Sequence, residues 1–154
     1  MEERERDTND AYDLQRFVRA QEMNFDSARD ELRRGRKISH WMWYVFPQVE
    51  GLGHSATAQE FAIKSKAEAL AYLSHPALGP RLAECTSIVN TLDGRSAKEI
   101  FGSPDDMKFR SSMTLFHEIS PDREIFKEAL AKYFGGELDP RTLQRMRAHP
   151  AAWA

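Results

Sequence analysis

Apolar residues recur along most of this chain at the three- and four-residue spacing that gathers them on one side of an α-helix, while clear period-two alternation is scarce. Leu14, Phe17 and Val18 open the pattern, and Phe25, Ala28 and Leu32 resume it after a break. Two short helices are therefore expected before Gly35 stops the second, with Arg33 and Arg34 complementing the carbonyl end of its dipole. Ser65 and Glu68 stand in the S-x-x-E capping-box spacing ahead of Ala69, Leu70 and Leu73. Leu78, Leu82, Cys85, Val89 and Leu92 hold one stripe until Asp93-Gly94 closes it. Ser96 begins a short turn ending at Phe101-Gly102, and Pro104-Asp105 opens a helix whose apolar members are Phe109, Met113 and Phe116. Pro121 suits the first turn of the next, which runs through Ile125, Phe126, Ala129, Leu130, Tyr133 and Phe134 to Gly135-Gly136. Asp139-Pro140 starts a last short helix.

The stretch Trp41-Met-Trp-Tyr-Val-Phe46 has no polar residue, so its period does not separate helix from buried strand. Ser39 as an N-cap favours helix, and Pro47 ends either element. Gly51 and Gly53 make an irregular connection to Ser55, a candidate N-cap for a helix over roughly 56–63. Residues 1–9 are nearly all charged or polar and are expected to form a disordered tail. The fold expected is mainly α, a single compact domain of about seven or eight short helices over residues 10–150.

Composition narrows the function. At 154 residues the chain is long enough to bury a core, and 41% hydrophobic against 30% charged residues is a globular balance, not a disordered one. With 22 basic and 24 acidic residues, attraction to nucleic acid or anionic lipid does not dominate. The lone Cys85 has no partner for an internal disulfide, and no run is apolar enough for a leader or a membrane span, so a cytoplasmic protein with no membrane partner is expected.

Two segments hold the candidate chemistry. In the first, Lys37, His40, Trp41, Trp43 and Gln48 bring a cation, an imidazole and an aromatic wall together; Gly51, Gly53 and Ser55 follow as a loop that offers N–H groups to an anion. The same aromatics also fit a core, and the glycines an ordinary turn. In the second, Lys108, Ser111 and Ser112 stand at i, i+3 and i+4, which places a cation and two hydroxyls on one helical face, opposite the apolar one, for a phosphate or carboxylate. Helical serines also bond back to a carbonyl one turn earlier, and Lys108 also suits a pair with Asp105. Arg33, Arg34, Arg36 and Lys37 form a short basic run, the place where nucleic-acid phosphate would be contacted, though a solvated helix end explains it equally. The five histidines have no metal-ligand spacing, and no serine stands in a nucleophile elbow, so His40 and Glu50 are left as the candidates for acid or base work.

Ser39-His-Trp-Met-Trp-Tyr-Val-Phe-Pro-Gln48, Gly51-Leu-Gly53, Leu73-Ser-His-Pro-Ala-Leu-Gly79 and Lys108-Phe-Arg-Ser-Ser-Met-Thr-Leu-Phe116 resemble the bacterial domain of unknown function 1810 family. The likeness runs from about Tyr12 to Met146 and implies a mostly helical single domain with no activity to transfer. The label calpastatin, sometimes attached to that family, denotes a disordered inhibitor and does not suit a chain with such regular apolar stripes. The Lys108-Phe109 helix is also similar to a segment of the family that handles NAD and ADP-ribose derivatives. The resulting expectation is a pocket for a nucleotide-like or phosphorylated small molecule, with an interaction module lacking a ligand, or nucleic-acid contact through residues 33–37, as the alternatives.

Overall fold

The computed structural model describes residues 10–154, which form ten α-helices and, among the described residues, no strand. In chain order these are α1 (Gln15–Arg33), α2 (Met42–Val45), α3 (Ala56–Glu60), α4 (Lys66–Ser74), α5 (Leu78–Thr91), α6 (Ala97–Phe101), α7 (Asp105–Ile119), α8 (Glu124–Phe134), α9 (Pro140–Ala148) and α10 (Pro150–Trp153). The last was not foreshadowed by any apolar spacing.

Helix α7 is the hub. Every residue from Ser111 to Phe116 is buried, so no side of this stretch faces water, and α2, α4, α6, α8 and α9 pack around it. Its Phe109 ring stacks on Phe101 of α6 at 4.5 Å and takes Phe46 edge-on at 5.1 Å. Such stacked and edge-on pairs suit the ring quadrupole and add about 0.5–1.5 kcal/mol each beyond area burial. Helix α5 joins α1 and α4 on one side to α8 on the other.

Several elements differ from the expectation for local physical reasons. Helix α1 is continuous over 19 residues where two helices were expected. The gap in its stripe is filled by buried Gln21, whose amide donates to the Tyr44 carbonyl at 2.7 Å and the Tyr72 hydroxyl at 3.2 Å. A polar side chain thus occupies a core position, and a hydrophobicity pattern registers a break. Ser39 caps no helix: α2 starts at Met42 after Trp41, and the Ser39 hydroxyl donates to Glu31 instead. Helix α3 ends at Glu60, because residues 61–63 turn away to pair with 48–50 through Ile63 N–H to Gln48 O and Glu50 N–H to Ile63 O, both 2.9 Å. Pro121 lies in the turn before α8, not within its first turn.

The caps at Ser55, Ser65, Ser96 and Asp139 are where the sequence places them. Only Ser96 with Glu99 closes a reciprocal box. Glu68 instead accepts from the Lys64 N–H and from Arg16, tying α4 to the start of α1.

Candidate functional site

The site is built on a knot at the end of α1. Glu31 stands in the last helical turn, where the dipole disfavours a carboxylate, and is buried beneath residues 38–41. Its Oε1 accepts from the N–H groups of Ile38 at 2.7 Å and Ser39 at 2.9 Å and from the Trp41 indole at 2.9 Å, while Oε2 accepts from the Ser39 hydroxyl. Burial alone would raise the Glu31 pKa; the donors, led by the Ser39 hydroxyl, outweigh it and hold the group at about 2. A permanent anion thereby fixes the loop that carries Lys37, His40 and Trp41.

The loop is pinned again by the Lys37 N–H, which donates to Ile100 O at 2.6 Å. The Lys37 side chain is 6% exposed, and its Nζ lies 2.8 Å from Asp105 Oδ2, 2.6 Å from Ser39 O and 5.1 Å from the centre of the Trp41 ring. Asp105, in the first turn of α7, also takes Lys108 Nζ at 3.3 Å. Lys108 lies over Trp43, 5.1 Å from the ring centre. The two segments singled out in the sequence therefore meet, and the junction consists of two lysines, each over a tryptophan, sharing one carboxylate.

Half-buried Trp43 also lines a crevice with Gln48, Gly51, Gly53, Ala58 and Phe61. An adjoining open cleft of about 520 Å³ extends from Gly51 and Gly53 to Glu50, His54, Glu60 and Lys64. Helix α9 fastens the 51–53 loop from the far side: Arg145 Nε donates to Glu50 O at 3.1 Å and Arg141 Nη2 to Leu52 O at 3.2 Å. Gly51 has φ +95°, which favours glycine, and a Cβ there would come within 2.4 Å of the Arg145 guanidinium and push it aside. Neither arginine pairs with a carboxylate among the described residues.

Other candidates stand apart from this crevice. Ser111 and Ser112 do not share an open face with Lys108, because α7 is enclosed on all sides at their level. Ser111 donates to Asp139 Oδ2 and to Met107 O, both at 3.0 Å, and so belongs to the buried cap of α9, where Asp139 also holds the Thr142 N–H and hydroxyl. Ser112 is fully buried, its Oγ without a hydrogen-bond partner among the described residues. Trp41 is enclosed and supports the site from within. Ser55 is spent on the α3 cap, accepting from the Ala58 N–H at 3.1 Å. His40 and Glu50 are both exposed. In the basic run, Arg33 faces Asp30 and Glu84 at 4.0 and 3.6 Å, and Lys37 is buried against Asp105.

Glu31, Asp105, Arg141 and Arg145 complete the site without having been picked out as its members from the sequence. A carboxylate in the last turn of a helix is a local inconsistency that asks for a partner, and Arg141 and Arg145 stand at i and i+4 on one helix face. Both signals are visible in the chain. Elsewhere, burial pushes the Cys85 thiol up to about 12, which leaves it protonated and unreactive. Among the described residues no group of three or more His, Cys, Asp or Glu is placed to hold a metal ion, and no helix is long and apolar enough to cross a membrane.

A family model described as a protein of unknown function, DUF1810, matches residues 11–146. The chain belongs to the DUF1810 family. Among solved structures it is similar to that of the conserved hypothetical protein Rv1873 from Mycobacterium tuberculosis, with 54% identity over 88% of this chain and 97% of that one and a TM-score of 0.87. No curated protein matches significantly. The DUF1810 match spans both halves of the Trp43 site, from the loop over Glu31 to the arginines of α9.

Proposed function

We propose that the surface around Trp43 binds a phosphorylated, nucleotide-like small molecule. A base or sugar packs on the tryptophan, Lys108 takes the phosphate, and the 51–53 loop with Gln48 lines the far wall. The observation that carries this reading is the Lys108 ammonium 5.1 Å from the ring centre of Trp43, a residue that also edges a narrow crevice of about 10 Å³ whose Gly51 and Gly53 border the 520 Å³ cleft. Aromatic and cation in one place serve the two halves of such a ligand, the flat group and the anion. Arg141 and Arg145 add positive potential behind the loop.

The test is thermal unfolding against inorganic phosphate, nucleotides, NAD, ADP-ribose and sugar phosphates. A ligand present at about 100 times its Kd stabilises the native state by about 2.7 kcal/mol, a readily measured rise. One phosphorylated class is expected to raise the transition, and Lys108→Ala to remove the rise without altering the unliganded fold. A panel without effect, or a rise that survives Lys108→Ala, contradicts the proposal.

A second reading, an interaction module without a ligand, draws on a different feature. Ile119, Met146, Pro150 and Trp153 line an open, mainly apolar groove of about 400 Å³ near the C-terminus. It predicts self-association or partner capture through that face, and a clean monomer in sedimentation at high concentration counts against self-association.

A further inference from the structure

The turn Leu73-Ser-His-Pro-Ala-Leu-Gly79, between α4 and α5, lies outside the Trp43 site and hangs on one histidine. The first N–H groups of a helix have no partner within it. Here the N–H groups of Ala77 and Leu78 donate to His75 Nδ1 at 3.0 and 3.2 Å, Gly79 N–H donates to the His75 carbonyl at 3.1 Å, and Pro80 has no N–H to satisfy. One residue therefore caps the whole start of α5. Nδ1 accepts only in the neutral ring, with its proton on Nε2. A second proton would set an N–H against two N–H donors at the positive end of the α5 dipole.

We propose that His75 is a pH-operated latch: neutral, it closes the junction of α4 and α5; protonated, it leaves the cap and frees the first turn of α5. That turn carries Arg81, which donates to the buried Gln21 Oε1 at 3.3 Å, so the latch also guards a contact between α5 and α1. His75 itself is half-buried and within reach of solvent protons. Two charged groups act on it: Asp10, ahead of α1, favours the proton, and Arg81 opposes it. Both Asp10 oxygens are already held, by the N–H groups of Leu14 and Gln15 at 2.7 and 2.8 Å. Burial, helped by Arg81, outweighs Asp10 and lowers the His75 pKa from the ordinary 6.5. The unfolded chain takes up this proton near 6.5 and the folded one resists it. The stability contributed by the cap is therefore complete above pH 6.5 and is lost as the pH falls below that through the lower folded value.

The experiment is a nuclear magnetic resonance titration of the wild-type protein from about pH 8 to about pH 5, the range in which a histidine changes charge. The His75 ring nitrogens should report the Nε2–H tautomer at the upper end and titrate with a midpoint below 6.5. The amides of Ala77 and Leu78 should shift with that same midpoint. Their protection against hydrogen exchange should fall by up to about tenfold per pH unit, the limit for one linked proton. An Nδ1–H tautomer, a midpoint at or above 6.5, or amides of Ala77 and Leu78 that stay still while His75 titrates overturns the latch. His75→Asn separates it from the other histidines, because asparagine caps a helix start without titrating. The step at Ala77 and Leu78 should vanish in that variant, and a step that persists there refutes the assignment to His75. The wild-type titration decides the question whether or not the variant folds.

Discussion

Glu31 shows how one residue organises a site it does not line. Four hydrogen bonds converge on its carboxylate, and three of the donors belong to the loop backbone and the Ser39 hydroxyl, so its removal frees the segment that aims Lys37 and Trp41. Glu31→Ala is expected to cost about 2–4 kcal/mol in urea unfolding, since buried donors lose a charged acceptor. Its pKa of about 2 in the folded protein lies below the ordinary 4.5, so the native state favours the carboxylate. That contribution is complete above pH 4.5 and disappears as the pH falls towards 2; wild-type stability should decline over that window more steeply than that of Glu31→Ala. At Gly51, alanine meets both an unfavourable φ of +95° and the Arg145 guanidinium at 2.4 Å. Gly51→Ala should destabilise by about 1–3 kcal/mol in the same assay. Glu31 is not singled out by the sequence reading, and Gly51 is legible only as a loop residue: the arginine that presses on it comes from 94 positions further along the chain, a pairing that no local pattern reveals.

Among the helices, local signals succeeded where a cap or a long stripe marks an element and failed where tertiary contacts fill a gap. The stripe through Leu78 and Val89 and the stop at Gly135, with φ +63°, follow directly from spacing and from left-handed backbone. Helix α1 was divided in the sequence because Gln21 interrupts its apolar face, whereas in the fold its amide is paired with Tyr44 and Tyr72. Of the two readings of the α7 serines, the open face is absent because α7 has no wet side at residues 111–116, whereas the back-bond to a carbonyl one turn earlier is made by Ser111 to Met107 O at 3.0 Å. Ser111 belongs instead to the junction of α7 and α9. A double-mutant cycle of Ser111→Ala with Asp139→Ala should give a coupling of about 1 kcal/mol; additivity would separate the serine from the cap.

On the scale of the molecule, five of the helices among the described residues pack around α7 and bring Lys37 and Trp43 to Asp105 and Lys108. The mainly helical class was readable from periodicity, and the two segments were readable as chemistry. Their meeting at Asp105 was not, because it depends on how α7 is threaded through the core. The family match and the 54% identical mycobacterial structure support the same architecture and attach no activity to it. The functional account therefore stands on the crevice itself. The most direct measurement is a nuclear magnetic resonance titration of the uniformly labelled protein with ADP. The chain has three tryptophans, and only Trp43 lines the crevice. The account predicts that the Trp43 indole N–H and the amides of Gly51, Gly53 and Lys108 move together and saturate, while the Trp153 indole stays in place. Absence of any shift, or shifts gathered on Trp153 and Met146, would contradict it.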